Sequence, residues 1–165
     1  MFWRVPGAKT EWKKRLGAPN RRAFRRLVET GRVRGCLAFF GREPVGWVSI
    51  GPKLEFPYFE RSRSIAPSAD PREWCVTCFY VPAAWRDRGV ARALLAAAVD
   101  VARKSGARSI EGYPLVPRKA GERAPAAFAW TGVPALYEHC EFVRAPNPGG
   151  TKVIYRRAIL AGHAD

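Results

Sequence analysis

Acidic residues are scarce in this chain of 165 residues. Aspartate and glutamate number 14 against 29 lysines and arginines, so the formal net charge is +15 at pH 7. This excess of positive charge favours anionic partners, such as a phosphate-bearing cofactor, an acidic substrate or nucleic acid. Arginine outnumbers lysine, and alanine, glycine and proline are abundant. Because a GC-rich genome produces the same bias, the charge alone does not select a function.

Long apolar segments and paired metal ligands are also lacking. No apolar run is long enough to span a bilayer, and no signal peptide is recognisable. Cys75 and Cys78 form a C-x-x-C pattern, but they lie in the strand-like run EWCVTCFYV, where residues three apart point to opposite faces. No second Cys/His pair has zinc spacing, and His139 and His163 are isolated. We therefore predict a cytoplasmic protein with buried reduced thiols, no membrane partner and no metal.

The most informative stretch is residues 73–105, which read as a buried strand, a tight turn and an amphipathic helix from about residue 89. Gly89 lets a ligand approach the backbone closely, because no Cβ stands in the way. The free N–H groups and the dipole of the following helix attract an anion, and Arg86, Arg88 and Arg92 add positive charge. The combination predicts a pyrophosphate cradle. From the turn alone, an ordinary strand–turn–helix with solvated arginines is equally open.

The pattern R-x-x-G-x-A at residues 86–91, after V-P-x-x-W and before an apolar helix, resembles the coenzyme-A-binding segment Q/R-x-x-G-x-G/A of GNAT acetyltransferases. The resemblance extends from about residue 34 to residue 157. It implies a single GNAT-like α/β domain over residues 1–165, with a mixed central β-sheet and helices on both faces. The implied activity is transfer of an acetyl group from acetyl-CoA to a primary amine of a small molecule or protein, by direct attack on the thioester.

The resemblance also assigns cofactor contacts. In GNAT proteins two adjacent strands splay apart, and the pantetheine arm pairs with the free strand edge; here that edge is residues 78–81. A backbone N–H near Phe79 or Tyr80 is then the donor to the developing oxyanion. The residues assigned to cofactor binding are Phe79, Tyr80, Val81, Arg86, Arg88, Gly89, Val90, Ala91 and Arg92.

Catalytic side chains follow from the same resemblance. Tyr137, in ALYEHCEF, matches the tyrosine of the family segment Y-E-K-x-G-F and is assigned as the acid for the departing thiolate. A tyrosine packed in the core is the alternative. The base is assigned to Glu73, which precedes by two residues the position (Cys75) where some relatives carry a glutamate. Glu111, on the following strand, is a second candidate for the base.

Three departures from the family pattern stand out. Glu141 replaces a glycine, so a positive φ there would cost about 1 kcal/mol. Trp130 stands where many relatives have an asparagine that contacts the cofactor. Relatives begin with a strand and a helical segment before the FWR stretch, which here follows Met1 directly, so either the start codon is mis-assigned or the first strand is lacking. We therefore expect strand 35–40 to be an exposed sheet edge, and we regard a homodimer through that edge as a hypothesis.

Two aromatic segments leave their roles open. In the long loop 52–72, Phe56, Tyr58 and Phe59 either wall an acceptor pocket or anchor the loop on the core. The aromatic residues of the N-terminal arm 1–18 either pack on the domain, line the acceptor site or, less favoured, stack on nucleic acid.

Two other functions stay open beside acetyl transfer. One is a GNAT-like domain that binds acyl-CoA without turnover. The other, less favoured, is a basic nucleic-acid-binding domain, although no helix-turn-helix, zinc-finger or RNP-like motif supports it. The expected partners are coenzyme A and an amine that the sequence does not identify.

Overall fold

The computed structural model of the chain describes residues 2–4, 9–116 and 129–159. Its helices are α1 (Lys9–Lys14), α2 (Ala18–Glu29), α3 (Val90–Lys104) and α4 (Pro134–Glu138). Its strands are β1 (Arg34–Phe40), β2 (Glu43–Pro52), β3 (Glu73–Tyr80), β4 (Ser109–Gly112), β5 (Val143–Ala145) and β6 (Ile154–Ala158). Single 3₁₀ turns cover Phe2–Arg4, Lys53–Glu55, Phe59–Arg61, Ala83–Trp85 and Ala129–Thr131.

The strands form one sheet in the order β1-β2-β3-β4-β6-β5. The β3–β4 pair is parallel, because α3 carries the chain from one strand to the other, and the remaining pairs are antiparallel. The sheet is therefore mixed, as the sequence predicts.

Helix α3 covers one face of the sheet. Its buried stripe, Leu94, Leu95, Ala98, Val99 and Ala102, packs on inward-facing residues of β2, β3 and β4. Gly46 allows the close approach, since a Cβ there would lie 2.7 Å from a methyl group of Val90. This face holds the larger hydrophobic core.

The other face holds a second, more aromatic core. Trp3, Phe56, Phe59, Ile65, Cys75, Tyr113 and Ile154 are buried together there. Helix α2 lies on the same side, where Phe24 meets Trp47 of β2 edge to face with ring centroids 5.7 Å apart. Helices thus flank both faces of the sheet, which confirms the expected architecture.

Between this second core and the sheet lies a buried charged network. The Lys53 ammonium donates to the Glu111 carboxylate at 2.9 Å, and both side chains are almost fully buried. Tyr113 donates to the same carboxylate at 3.0 Å, and the Arg156 guanidinium pairs with its other oxygen. Pairing is needed here, because an isolated charge in this position would be strongly destabilising.

Strand β3 has two unlike halves. Residues Glu73–Val76 pair with β4, but the described part of β4 ends opposite Val76. Beyond it the chain turns away, and the Leu115 N–H donates to the carbonyl of Gly132 at 2.9 Å. Residues 78–80 therefore pair only with β2 among the described strands.

A β-bulge marks the boundary between the two halves. The pairing with β2 skips Thr77, since Val76 and Cys78 lie opposite consecutive β2 residues. The extra residue shifts the alternation, so Phe79 faces the same core as Val76. The sequence analysis did not foresee this bulge. In the sequence, only the hydroxyl of Thr77 within an otherwise apolar run distinguishes the position of the bulge.

Strand β1 is the edge of the described sheet, as expected. Among residues 2–4, 9–116 and 129–159 no strand pairs with its outer side, and Leu37, Phe39 and Phe40 are exposed. The homodimer hypothesis stays untested. Within the same ranges no helix combines the length and apolar character that crossing a membrane requires.

Candidate functional site

A cavity of about 950 Å³ opens at the carboxyl end of β3. The end of β3, the turn before α3, the start of α3 and residues 129–139 enclose it. Its volume is near the upper end of the range for small-molecule sites. Eight of the nine residues assigned to cofactor binding line it: Phe79, Tyr80, Val81, Arg86, Gly89, Val90, Ala91 and Arg92.

The turn before α3 presents backbone donors to the cavity. The first intrahelical hydrogen bond runs from Ala93 N–H to the carbonyl of Gly89 at 3.0 Å, so the preceding N–H groups of α3 have no partner within the helix. Gly89 has φ +79°, and a Cβ built on it would meet nothing within 4 Å. The left-handed backbone favours glycine, and the open space beside it leaves room for a ligand. Such a helix start is an anion-binding site.

Asp87 also adopts a left-handed conformation in this turn, with φ 58°. Aspartate tolerates this region better than most residues. Two of the three residues 87–89 therefore have a positive φ. The sequence analysis singled out Gly89 alone.

The three arginines of the cradle have different roles. Arg86 donates from Nε to the Val81 carbonyl at 3.1 Å, which ties the turn to the end of β3. Arg92, on the first turn of α3, lines the cavity. The guanidinium of Arg88 lies over the Trp85 ring, 5.3 Å from its centroid, and is not part of the lining.

The strand edge meets the cavity beyond the bulge. Phe79 is buried, Tyr80 is 61% exposed, and both line the cavity with Val81. Because this part of β3 pairs only with β2, its other side offers backbone groups to an extended ligand.

Residues 129–139 form the opposite wall, which the sequence analysis largely missed. Trp130, Gly132, Val133, Leu136 and His139 are among its members. Gly132 has φ +81°, and a Cβ there would lie 2.9 Å from the Tyr137 ring. The G-V-P sequence marks a helix start but not its position beside α3, which only the tertiary fold sets.

Tyr137 does not line the cavity. Its side chain is completely buried, and its hydroxyl donates to the Thr131 carbonyl at 2.8 Å. Burial raises the pKa of Tyr137 well above its ordinary value. The ring lies directly against Gly112, where any side chain would collide with it.

Neither candidate base lines the cavity. Glu73 begins β3 and accepts a hydrogen bond from Arg108 at 2.6 Å. A hydrogen bond from Ser68, helped by Arg108, lowers the pKa of Glu73. Glu111 is held by Lys53 and Arg156 in the network described above. Both carboxylates therefore lie outside the cavity that the eight predicted cofactor-binding residues line.

Glu141 keeps the backbone conformation of the glycine that it replaces. Its φ is 61°, and its carboxylate pairs with Arg157. Of the two possibilities, a retained positive φ or a changed turn, the structure shows the first, at a cost of about 1 kcal/mol for a residue with a Cβ.

The fold resembles several solved acetyltransferases. A putative GNAT-family acetyltransferase from Desulfovibrio desulfuricans aligns with 82% of this chain and 76% of its own, at 19% identity and a TM-score of 0.56. The structure of yncA, a putative acetyltransferase from Salmonella typhimurium with its cofactor acetyl-CoA, aligns with 91% of this chain and 78% of its own, at 16% identity and a TM-score of 0.56. The aminoglycoside acetyltransferase AAC(6')-Ib in complex with coenzyme A aligns with 81% of this chain and 70% of its own, at 17% identity and a TM-score of 0.53.

Sequence comparison gives a firmer result. No curated protein is similar to the chain in sequence. However, the sequence pattern of the Acetyltransferase (GNAT) family matches residues 6–115, well over half of the chain. The chain therefore belongs to the GNAT family of acetyltransferases.

Proposed function

We propose that this protein transfers an acetyl group from acetyl-CoA to a primary amine. The observation that carries the proposal is the single cavity that joins an anion-binding helix start to an unpaired strand edge. Coenzyme A contains a pyrophosphate and an amide-containing pantetheine arm, and these two parts need these two surfaces.

The residues present fit the cofactor. The N–H groups of Val90, Ala91 and Arg92, with the side chains of Arg86 and Arg92, suit the pyrophosphate. The backbone of residues 78–81 suits the pantetheine amides. Two solved structures of similar fold are complexes with acetyl-CoA or coenzyme A, which supports the same ligand here.

The reaction joins the amine nitrogen to the acetyl carbon and breaks the bond from that carbon to sulfur. A backbone N–H near Phe79 or Tyr80 stabilises the negative charge on the carbonyl oxygen. The amine gives up one proton to water at the open side of the cavity, and the coenzyme A thiolate takes up a proton as it leaves.

The acid role of Tyr137 stays a prediction. Its hydroxyl is bonded to the Thr131 carbonyl, so protonating a thiolate requires that this bond be exchanged. The base role of Glu73 also stays a prediction, because its carboxylate is bonded to Arg108 outside the cavity lining. Variants of both residues test these roles below.

A second candidate function is acyl-CoA binding without turnover. The buried hydroxyl of Tyr137 favours it, since the residue that the family pattern assigns as the acid does not line the cavity.

Calorimetric titration with acetyl-CoA, followed by measurement of thiol release with a panel of amines, separates the candidates. Binding together with amine-dependent thiol release supports acetyl transfer. Binding without release for any amine supports the second candidate. Absence of binding to the folded protein contradicts both.

A further inference from the structure

Trp130 connects the cavity to the aromatic core on the other face of the sheet. Its side chain is 36% exposed and lines the cavity. Its ring meets Phe2 and Trp3 edge to face, with ring centroids 6.3 and 6.0 Å apart. One ring therefore belongs both to the cavity wall and to the packing of the N-terminal aromatics.

The aromatic wall, defined as Phe2, Trp3, Tyr58 and Trp130, comes from three distant parts of the chain. Tyr58 lies 4.4 Å from Trp3 and 5.2 Å from Phe2 between ring centroids. Phe2 and Tyr58 are only partly buried, so the wall is not sealed inside the core. Trp3 is buried, so the apolar surface on which another ring or an alkyl group can pack comes from Phe2, Tyr58 and Trp130.

A buried donor in the wall lacks a partner. Trp3 is 3% exposed, and its indole Nε1–H makes no hydrogen bond within the described residues. A buried donor without an acceptor is unfavourable, and such groups are rare in folded proteins. The face of a bound aromatic ring would accept this N–H weakly, which an alkyl body would not.

The charge beside the wall argues against a polycationic acceptor. The Arg61 guanidinium lies over the Tyr58 ring, 5.8 Å from its centroid, and the Arg4 guanidinium lies over the Phe56 ring of the adjoining core, 4.0 Å from its centroid. A molecule with several ammonium groups needs several carboxylates to replace its lost hydration. The described residues of the cavity lining add one carboxylate, that of Asp87.

We propose that the acceptor is a monoamine whose body is aromatic or apolar, and that this body packs on the aromatic wall with Trp130 as the contact nearest the acetyl group. This inference rests on the proposed acetyl transfer and names its acceptor class. The amine replaces sulfur on the acetyl carbon, and the wall takes no part in bond making.

Amine binding to the protein saturated with coenzyme A tests the wall without requiring turnover. Calorimetry with 2-phenylethylamine, butylamine and spermidine should give the lowest Kd for 2-phenylethylamine, at least about tenfold below that of spermidine. Trp130→Ala should raise the Kd of 2-phenylethylamine about tenfold and that of butylamine by less, because an alkyl chain covers less of the ring, and should leave that of spermidine within about threefold. The Kd of coenzyme A is measured for each variant, so that saturation with coenzyme A is kept in every titration. Tyr58→Ala should give a smaller change in the same direction, and Phe39→Ala, which truncates an exposed ring of β1, should give none.

Three results would contradict the proposed role of the aromatic wall in binding the acceptor. They are binding of spermidine as tight as that of 2-phenylethylamine, no binding of any amine, or binding of 2-phenylethylamine by both wall variants with the Kd of wild type. If the wall binds as expected but acetyl-CoA releases no thiol, acetyl transfer fails and the wall stands. If thiol release is fastest with spermidine, acetyl transfer stands and the wall fails.

Discussion

The two halves of β3 differ in their pairing. The amino half, Glu73–Val76, which we call the closed half, is paired with β4 on one side and, from Trp74 on, with β2 on the other, and Glu73 is held by Arg108. The carboxyl half, beyond the bulge at Thr77, which we call the open half, is paired with β2 alone among the described strands and faces the cavity. A short strand thus supports the fold at one end and offers ligand contacts at the other.

This contrast explains where the catalytic assignments diverge. Glu73 and Phe79 are six residues apart on one strand, and a pattern-based reading gives both to one site. The structure separates them because β4 covers only the first half of the strand. Whether a β3 residue reaches a ligand depends on its position relative to the end of the β3–β4 pairing, which the sequence alone does not give.

The largest effect should come from the charged network behind the closed half. Lys53→Met leaves the buried Glu111 with less compensation, so the free energy of unfolding should fall by about 3–5 kcal/mol. Urea unfolding measures the change. Lys104→Met, at the end of α3, is the control and should change stability by less than about 0.5 kcal/mol.

The double variant Lys53→Met/Glu111→Leu should recover part of the loss, because it removes both buried charges. A loss below about 1 kcal/mol for Lys53→Met would show that the Lys53–Glu111 pair is not a buried support of the fold.

At the open half, Gly89→Ala should abolish or strongly weaken acetyl-CoA binding. Gly106 is a matched control: its φ is +76°, and a Cβ there also meets nothing within 4 Å. Both variants should lose about 1 kcal/mol of stability through backbone strain. Only Gly89→Ala should raise the Kd for acetyl-CoA, by at least about tenfold in calorimetric titration. Equal affinity in both variants would remove the cradle from residues 86–92.

Tyr137→Phe separates packing from catalysis. Loss of the hydrogen bond to Thr131 should lower the free energy of unfolding by about 1 kcal/mol. If the hydroxyl keeps its bond to the Thr131 carbonyl during turnover, kcat should fall by less than about tenfold, with the pH profile unchanged in shape. A fall in kcat above about 100-fold, with unchanged affinity for acetyl-CoA, would establish the acid role.

Glu73→Gln should have the smallest effect. The folded protein lowers the pKa of Glu73, so the ionised form stabilises the fold at neutral pH and this contribution is lost as pH falls through the lowered pKa. For a pair this accessible the difference from wild type should be about 0.5 kcal/mol at pH 7. It should shrink as the pH is lowered through that pKa, because Glu73 of wild type then also becomes protonated. Urea unfolding over a series of pH values gives the comparison, and a loss of turnover in Glu73→Gln would establish Glu73 as the base.

Much of the fold was predictable from the sequence because its signals are local. The periodicity of α3 and the glycine that precedes it place the helix start correctly. The hairpin of β1 and β2 and the positive φ of residue 141 follow from short patterns. The cradle belongs to this group, since turn and helix are adjacent in sequence.

The rest of the site depends on contacts between distant segments. Nothing near Tyr137 in sequence reveals that Gly112 leaves room for its ring or that its hydroxyl meets Thr131. The cavity wall at residues 129–139 and the meeting of Trp130 with Phe2 likewise arise only when the sheet is assembled. Hydrophobic periodicity and short sequence motifs do not reveal such contacts between distant segments.

Amide hydrogen exchange along β3, with and without acetyl-CoA, tests the central claim most directly. We predict that saturating acetyl-CoA slows exchange at residues 78–81 and at the start of α3 and leaves residues 73–76 unchanged, because only the open half has free backbone groups. Saturation with unchanged exchange at residues 78–81 would contradict the assignment of the open strand edge to the cofactor.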